Sequence, residues 1–295
     1  MSELEKLRVV TKYEFLKQVR RRRFYGFLAM TLLAVGLTAA LYQSLDLPKR
    51  MRTELKKRMG ENIPEAMKDD LLNQAGIKDS PEFFALWVSS MGALALIGAV
   101  FFGGDSIASE FEHRTGYLLF PNPVKRSTLV IGKYLACFLA AVAVLAIGYA
   151  FSAINLLVFY QTIPIGLPKS LGVAIALTCF MVSFAFVFSA LMKGGMGATV
   201  AALLSYMAIF PIISMALSAT GHDPWFMPDR AGDAIGATYD ISYESLSEVF
   251  GGEGGSMRGV ARASQDPLRA SLVLVGYALV LLLLSVQLTL RREMV

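Results

Sequence analysis

The chain has 295 residues, of which 55% are hydrophobic and 17% charged, and its mean hydropathy is +0.53. Soluble domains carry about 25% charged residues, so the composition excludes an ordinary water-soluble domain. The net charge of +5 is no argument for nucleic acid, because membrane proteins gather Lys and Arg in their cytoplasmic segments.

Residues 1–23 hold eight basic residues (Lys6, Arg8, Lys12, Lys17 and Arg20 to Arg23) against three acids. An apolar run starts at Phe24, so the positive-inside rule assigns the N-terminus to the cytoplasm. Leu7, Val9, Val10, Tyr13, Phe15, Leu16 and Val19 are interleaved with the charges. That pattern predicts an amphipathic helix along the inner leaflet, its Lys and Arg snorkelling to headgroups. No cleavable signal peptide is expected, because the arginine run leads into a full-length span without a small-residue cleavage site.

Six apolar runs follow, roughly Phe24–Leu45, Phe83–Phe102, Leu129–Phe159, Leu171–Leu191, Ala198–Ser218 and Ser271–Leu290. About 20 residues of helix cross a bilayer core of about 30 Å. Continuous rather than alternating apolarity selects helices over a barrel. The expected fold is an all-α polytopic membrane protein with six transmembrane helices, forming a single transmembrane domain over residues 1–295.

Residues 46–82 form the first external loop. Met51, Leu55 and Met59 recur at helical spacing and end at Gly60, a C-cap residue. A second short helix is expected from Asn62 and Pro64 to Gly76, and Ser80-Pro81-Glu82 reads as the start of span two. These helices form a small outer cap, or in a sharper reading a substrate gate.

Gly103 to Arg126, GGDSIASEFEHRTGYLLFPNPVKR, is a polar segment between two apolar runs. The glycine pair reads as a turn that ends span two. Asp105 is then placed to cap a new helix and complement its dipole. Glu110 and Arg114, at i and i+4, pair on one face, while Ile107 and Phe111 supply apolar contacts before the helix stops at Thr115-Gly116. Such a segment suits docking of a soluble partner; the bland alternative is a solvated turn.

Farther along, span three is longer than a bilayer requires, and Gln161 to Lys169 is a short external turn. Span four ends at Lys193-Gly194-Gly195. Pro211 inside span five frees a backbone carbonyl and is a possible hinge. Residues 219–269 form the second external loop, with eight acids against four arginines. Trp225 and Phe226 read as interfacial anchors, and Tyr243, Leu246, Val249 and Phe250 share one face of a short helix. Gly251 to Gly255 follows no strand and lacks the Lys-Ser/Thr ending of a phosphate loop. Asp266-Pro267 caps span six, and Arg291-Arg292 returns the C-terminus to the cytoplasm. Cytoplasmic segments then hold 15 basic residues and 7 acids, external ones 13 and 16.

No catalytic constellation emerges. Neither HExxH nor GxSxG occurs, and the two histidines, His113 and His222, fall on opposite sides of the membrane. Cys137 and Cys179 lie inside expected spans, so neither a disulfide framework nor metal-ligand spacing is visible. Met192 and Met196 form an i, i+4 pair, but Met is an ordinary filler of apolar helices. Deep intramembrane charges, the mark of proton relays, are missing as well, so the energy for any transport is expected to come from elsewhere.

Asp105, Ile107, Glu110, Thr115-Gly116, Pro123, Arg126 and Lys133 together resemble the cytoplasmic segment between spans two and three of type-2 ABC transporter permeases. Lys12-Tyr13-Glu14-Phe15 leading to the arginine run is similar to that family's elbow helix, and the six-span layout matches across essentially the whole chain. Phe120-Pro121-Asn122-Pro123 departs from the pattern by an extra proline. The resemblance implies a membrane permease subunit of an ATP-driven transporter, most often an exporter, with an N-terminal elbow helix (1–23) and a cytoplasmic coupling segment (103–127). It implies that Asp105, Ile107, Glu110, Phe111, Arg114, Thr115 and Gly116 dock an ATPase, with Tyr13, Phe15, Leu16 and Arg20 on the elbow helix bearing on the same surface. The chain itself is expected to be no enzyme, to bind no cofactor and no metal, and to work with ATP and Mg held in the partner. Expected partners are two ABC ATPase subunits, a second permease copy as homodimer or related heterodimer, and the lipid bilayer, but no nucleic acid. The expected location is the cell membrane, multi-pass, with both termini cytoplasmic. Other readings are a non-transporting membrane anchor or sensor on the same scaffold, and an intramembrane enzyme, for which Asn155, Ser183 and Ser205 offer no general base.

Overall fold

In lipid a backbone amide has no partner outside its own helix or barrel, and the continuous apolar runs of this chain fold accordingly. The computed structural model describes residues 2–59, 64–74, 76–92, 94–112, 125–222, 224–239 and 266–291. Every regular element among the described residues is helical.

Helix α1 (Glu3–Arg20) begins with a reciprocal capping box, in which the Ser2 hydroxyl accepts from the Glu5 amide and the Glu5 carboxylate accepts from the Ser2 amide. It ends at Arg21, whose extended backbone separates it from α2 (Arg22–Ser44). Asp46, at φ 46°, turns the chain into α3 (Leu47–Arg58), and α4 (Glu65–Gln74) folds back on it. The two short helices expected in this loop therefore form. Arg52 ties them together: its guanidinium donates to Asp69 (2.7 Å), Asn73 (2.9 Å) and the Ile77 carbonyl (3.1 Å), and Lys56 also reaches Asp69. Ser80 accepts from the Phe83 amide at the start of α5 (Pro81–Gly92), as its sequence position predicted.

Then come α6 (Leu94–Glu112), α7 (Arg126–Tyr160), α8 (Gly166–Leu191), α9 (Gly195–Ala219), a 3₁₀ turn (Pro228–Arg230), α10 (Ala231–Ala237) and α11 (Pro267–Arg291). Among the described residues five helices, α2, α7, α8, α9 and α11, are long and apolar enough to cross a membrane. The run expected as span two is not among them; α5 and α6 divide it, with residue 93 outside the described residues. At 1.5 Å per residue the 35 residues of α7 extend about 52 Å, which confirms that it outruns the bilayer core. The expected turn after it is shorter than predicted, because α8 already starts at Gly166.

Helix α8 is the centre of the bundle. Two thirds (67%) of its most apolar stretch is buried, against 11% for α9, and it packs on α6, α7, α9 and α11. Phe180 and Phe184 of α8 meet Tyr206 and Phe210 of α9 at ring distances of 5.5–6.3 Å, and Tyr277 of α11 joins Phe180. In the second large loop, α10 seats Ile235 and the following Tyr239 in the core, where the Tyr239 hydroxyl lies 2.7 Å from Ser170. Trp225 stays 53% exposed beside Phe226, in keeping with an interfacial anchor. Tyr243, Leu246, Val249, Phe250 and Gly251 to Gly255 lie outside the described residues.

Candidate functional site: a polar joint at the end of α6

Helix α6 does not turn at Gly103-Gly104. It runs through both glycines to Glu112, so Asp105 is an interior residue of this helix and not the cap of a separate one. The glycines are small because neighbours come close. A Cβ on Gly103 would stand 3.0 Å from the Ala185 Cβ and 3.1 Å from the Val182 carbonyl of α8. One on Gly104 would meet Thr199 of α9 at 2.6 Å from its hydroxyl and 2.8 Å from its Cα. Small residues let membrane helices approach backbone to backbone, and here they seat α6 against two neighbours at once. One turn on, the Ser189 hydroxyl of α8 accepts from the amides of Ile107 (3.0 Å) and Ala108 (2.9 Å).

This placement carries the acids of α6 into reach of α2, α7 and α9. The Asp105 carboxylate accepts from Arg23 at 2.5 Å and from Arg21 at 3.2 Å, the two residues that flank the start of α2. Its other oxygen stands against Gly195, where a Cβ would collide with it. The Glu112 carboxylate accepts from the Gly195 amide at 2.9 Å, at the first turn of α9. Glu110 meets Lys133 of α7 at 2.5 Å, and the same ammonium reaches Glu14 of α1 at 3.0 Å. Only 5% of the Lys133 side chain is exposed, with 14% of Glu110 and 16% of Glu14. One cation thus fastens three helices through two carboxylates.

Helix α1 lies against the first turns of α7 to make this possible. Val10 sits over Gly132, where a Cβ would come within 2.6 Å of its Cγ1. The Gln18 side chain, the buried residue of α1, donates to the Cys137 sulfur at 3.3 Å, and that thiol donates to the Phe102 carbonyl of α6 at 3.2 Å. Burial raises the Glu14 carboxyl, but the Lys133 and Lys17 ammoniums outweigh it and hold Glu14 below the ordinary carboxylate range.

Of the residues expected to dock a partner, Asp105 and Ile107 are buried, Phe111 packs on the core, and Glu110 pairs with Lys133. Arg114, Thr115 and Gly116 lie outside the described residues, and so does the expected Glu110–Arg114 pair. On α1, Phe15 packs inward, while Tyr13, Leu16 and Arg20 are exposed. Pro211 lies within an unbroken α9. Sequence reasoning missed the roles of Arg21, Arg23, Ser189 and Gly195. The charges of Arg21 and Arg23 were visible, but nothing in the sequence pairs them with Asp105. Among the described residues no three His, Cys, Asp or Glu side chains converge on a possible metal site.

Among the described residues, five membrane-length helices, with α8 the most deeply buried of them, define a multi-pass membrane protein. The family described as ABC-2 family transporter protein matches residues 8–229, which covers most of α1, all of α2 through α9 and the whole polar joint. The chain belongs to that family, and its class is the membrane permease of an ABC transporter, as the 105–133 pattern led one to expect. No curated protein matches the chain.

Proposed function

We propose that the chain is the permease subunit of an ATP-driven exporter whose ATPase is a separate subunit, with ATP and Mg bound in that partner. Two permease copies and two ATPases would form the working assembly, with both termini and the 105–116 stretch on the cytoplasmic side. The observation that carries the reading is the Glu14–Lys133–Glu110 joint in a chain of this family. Residues 113–124 connect α6 to α7, the two helices that Lys133 and Glu110 bind together. A partner that grips this connection therefore pulls on α6, α7 and α1 as one body, which is rigid-body transmission of a closure. Asp105 and Ile107 hold the lever from inside, and Arg114, Thr115 and Gly116 supply its outer contacts. The exposed Tyr13, Leu16 and Arg20 of α1 form the adjoining elbow surface, with Pro211 as a hinge on the far side of the bundle. Apolar side chains along α9, such as Val200, Leu204, Met207 and Ile212, are exposed, which leaves a face for lipid or a second copy.

The test is affinity purification of the chain from its native membranes, followed by measurement of ATP hydrolysis in the eluate. An ABC ATPase should co-purify, and Arg114→Glu in a monodisperse preparation should lower its recovery and the coupled transport. An eluate without any ATPase, or undiminished recovery with that variant, overturns the reading.

A further inference from the structure

Where α1 breaks into α2, a cavity of about 500 Å³ opens among Lys17, Arg21, Arg22 and Arg23, with Asp105 and Glu110 on its wall. Both carboxylates are already engaged, Asp105 by Arg21 and Arg23 and Glu110 by Lys133. Arg22 is exposed and has no ion-pair partner among the described residues, and the Arg23 side chain remains 51% exposed. The chamber therefore carries surplus positive charge. A second cavity of about 260 Å³ starts at the same Arg23 and is walled by Phe27, Met30, Phe101 and Met196. Met30 lies seven residues beyond Arg23, which on a helix is about 10 Å further along the span. A basic chamber and an apolar groove thus meet at one arginine, with the charge at the end of a membrane helix and the groove running along its flank.

We propose that the two cavities are one binding site for an anionic phospholipid of the leaflet on which α1 lies. The headgroup phosphate sits among Arg22, Arg23 and Lys17, and one acyl chain fills the groove between α2, α6 and α9. Each half of the site excludes a different competitor. A zwitterionic lipid fits the groove but brings no net charge to the chamber, and a free anion fits the chamber but leaves Phe27, Met30 and Phe101 uncovered. Occupancy would lean on the Arg23–Asp105 contact, so bound lipid braces the junction of α1, α2 and α6. The proposal rests on the chain spanning a membrane and is independent of what it transports.

The full chain in neutral detergent is titrated with phosphatidylglycerol, phosphatidylcholine or inorganic phosphate, with bound lipid read by native mass spectrometry and Tm by thermal unfolding. Phosphatidylglycerol should be retained and should raise Tm, whereas phosphatidylcholine and inorganic phosphate should do neither. Arg22→Gln, which breaks no ion pair of the described fold, should weaken phosphatidylglycerol binding roughly fivefold. Met30→Trp, which fills the groove without altering a charge, should also reduce retention. Equal retention of the two lipids, an equal Tm rise with inorganic phosphate, or an unchanged phosphatidylglycerol preference in both variants overturns the proposal.

Discussion

Lys133 of α7 holds Glu110 of α6 at 2.5 Å, with 5% and 14% of the two side chains exposed. Because Glu14 of α1 shares the same ammonium, the joint carries two negative charges and one positive. Removing the cation leaves two carboxylates facing each other in a poorly solvated space. Breaking a buried pair from one side costs about 3–5 kcal/mol, so Lys133→Met should lower unfolding stability in detergent by about that much. The triple variant Lys133→Met, Glu14→Gln, Glu110→Gln should recover most of the loss, because no uncompensated charge remains. Denaturation of the wild type and the two variants side by side checks this; equal stability of the single and triple variants would show that packing, and not charge, governs the joint.

The same joint sets a pH dependence. Glu14 is held below the ordinary carboxylate range, because Lys133 and Lys17 more than offset burial. A group whose folded pKa is depressed contributes stability that is complete above its unfolded pKa, about 4.3 for Glu. That contribution fades as pH falls through the folded value. The Tm of the wild type should therefore drop as pH is lowered from about 5 towards 3, and Glu14→Gln should show a shallower drop in that window. Asp69 of α4 is also depressed, through Lys56 and Arg52, so the slope that remains in Glu14→Gln should shrink further on adding Asp69→Asn. Thermal unfolding across this pH range in one detergent gives the comparison; identical slopes for wild type and Glu14→Gln would refute it.

The membrane class was legible because apolar run length is a one-dimensional property. Helices α2, α7, α8, α9 and α11 fall where the sequence placed spans. The polar joint was half legible. Glu110 and Lys133 stood out as residues of a family pattern, but their mutual contact did not, because they are 23 positions apart on different helices. Local spacing favoured Glu110 with Arg114, a pairing that any helix would permit. The glycine pair was misread for a related reason. A Gly-Gly before an Asp is an ordinary turn signal, and only the position of Thr199, 95 residues downstream, shows that Gly104 is needed for close approach. The Ser2–Glu5 capping box was present in the sequence as a Ser-x-x-Glu signature and marks the start of α1.

Gly104 supplies a steric prediction. A methyl group there would lie 2.8 Å from the Thr199 Cα and 2.6 Å from its hydroxyl, and backbone cannot rotate away as a side-chain tip can. Overpacking of this kind costs about 1–3 kcal/mol, so Gly104→Ala should be destabilising by that order and should separate α6 from α9. Thr199→Ser should not rescue it, since the clash with the backbone of residue 199 persists whatever the side chain. Gly172→Ala on α8 is the control: a Cβ there meets nothing within 4 Å, and in a helix the exchange should stabilise by about 0.5–1 kcal/mol. Unfolding midpoints of both variants decide the matter; a neutral Gly104→Ala would mean that α9 shifts freely.

The α3–α4 pair tests whether one side chain can hold two helices together. Arg52 on α3 donates to Asp69 and Asn73 of α4 and to the Ile77 carbonyl just beyond it. No other residue of α3 reaches three points at once among the described hydrogen bonds, while Lys56 meets Asp69 and Glu65 near the start of α4. Beneath them, Leu72 and Ile77 are fully buried and supply the apolar seat that persists without the arginine. Arg52→Ala should therefore leave the helices formed but release their far end, raising amide hydrogen exchange over residues 71–79 more than over 65–69. Lys56→Ala should show the opposite bias, because its partners lie at the near end. Exchange mass spectrometry of the two variants separates these patterns. A uniform rise in both would show that the pair opens as a single unit, with its apolar seat and not the arginine as the controlling interaction.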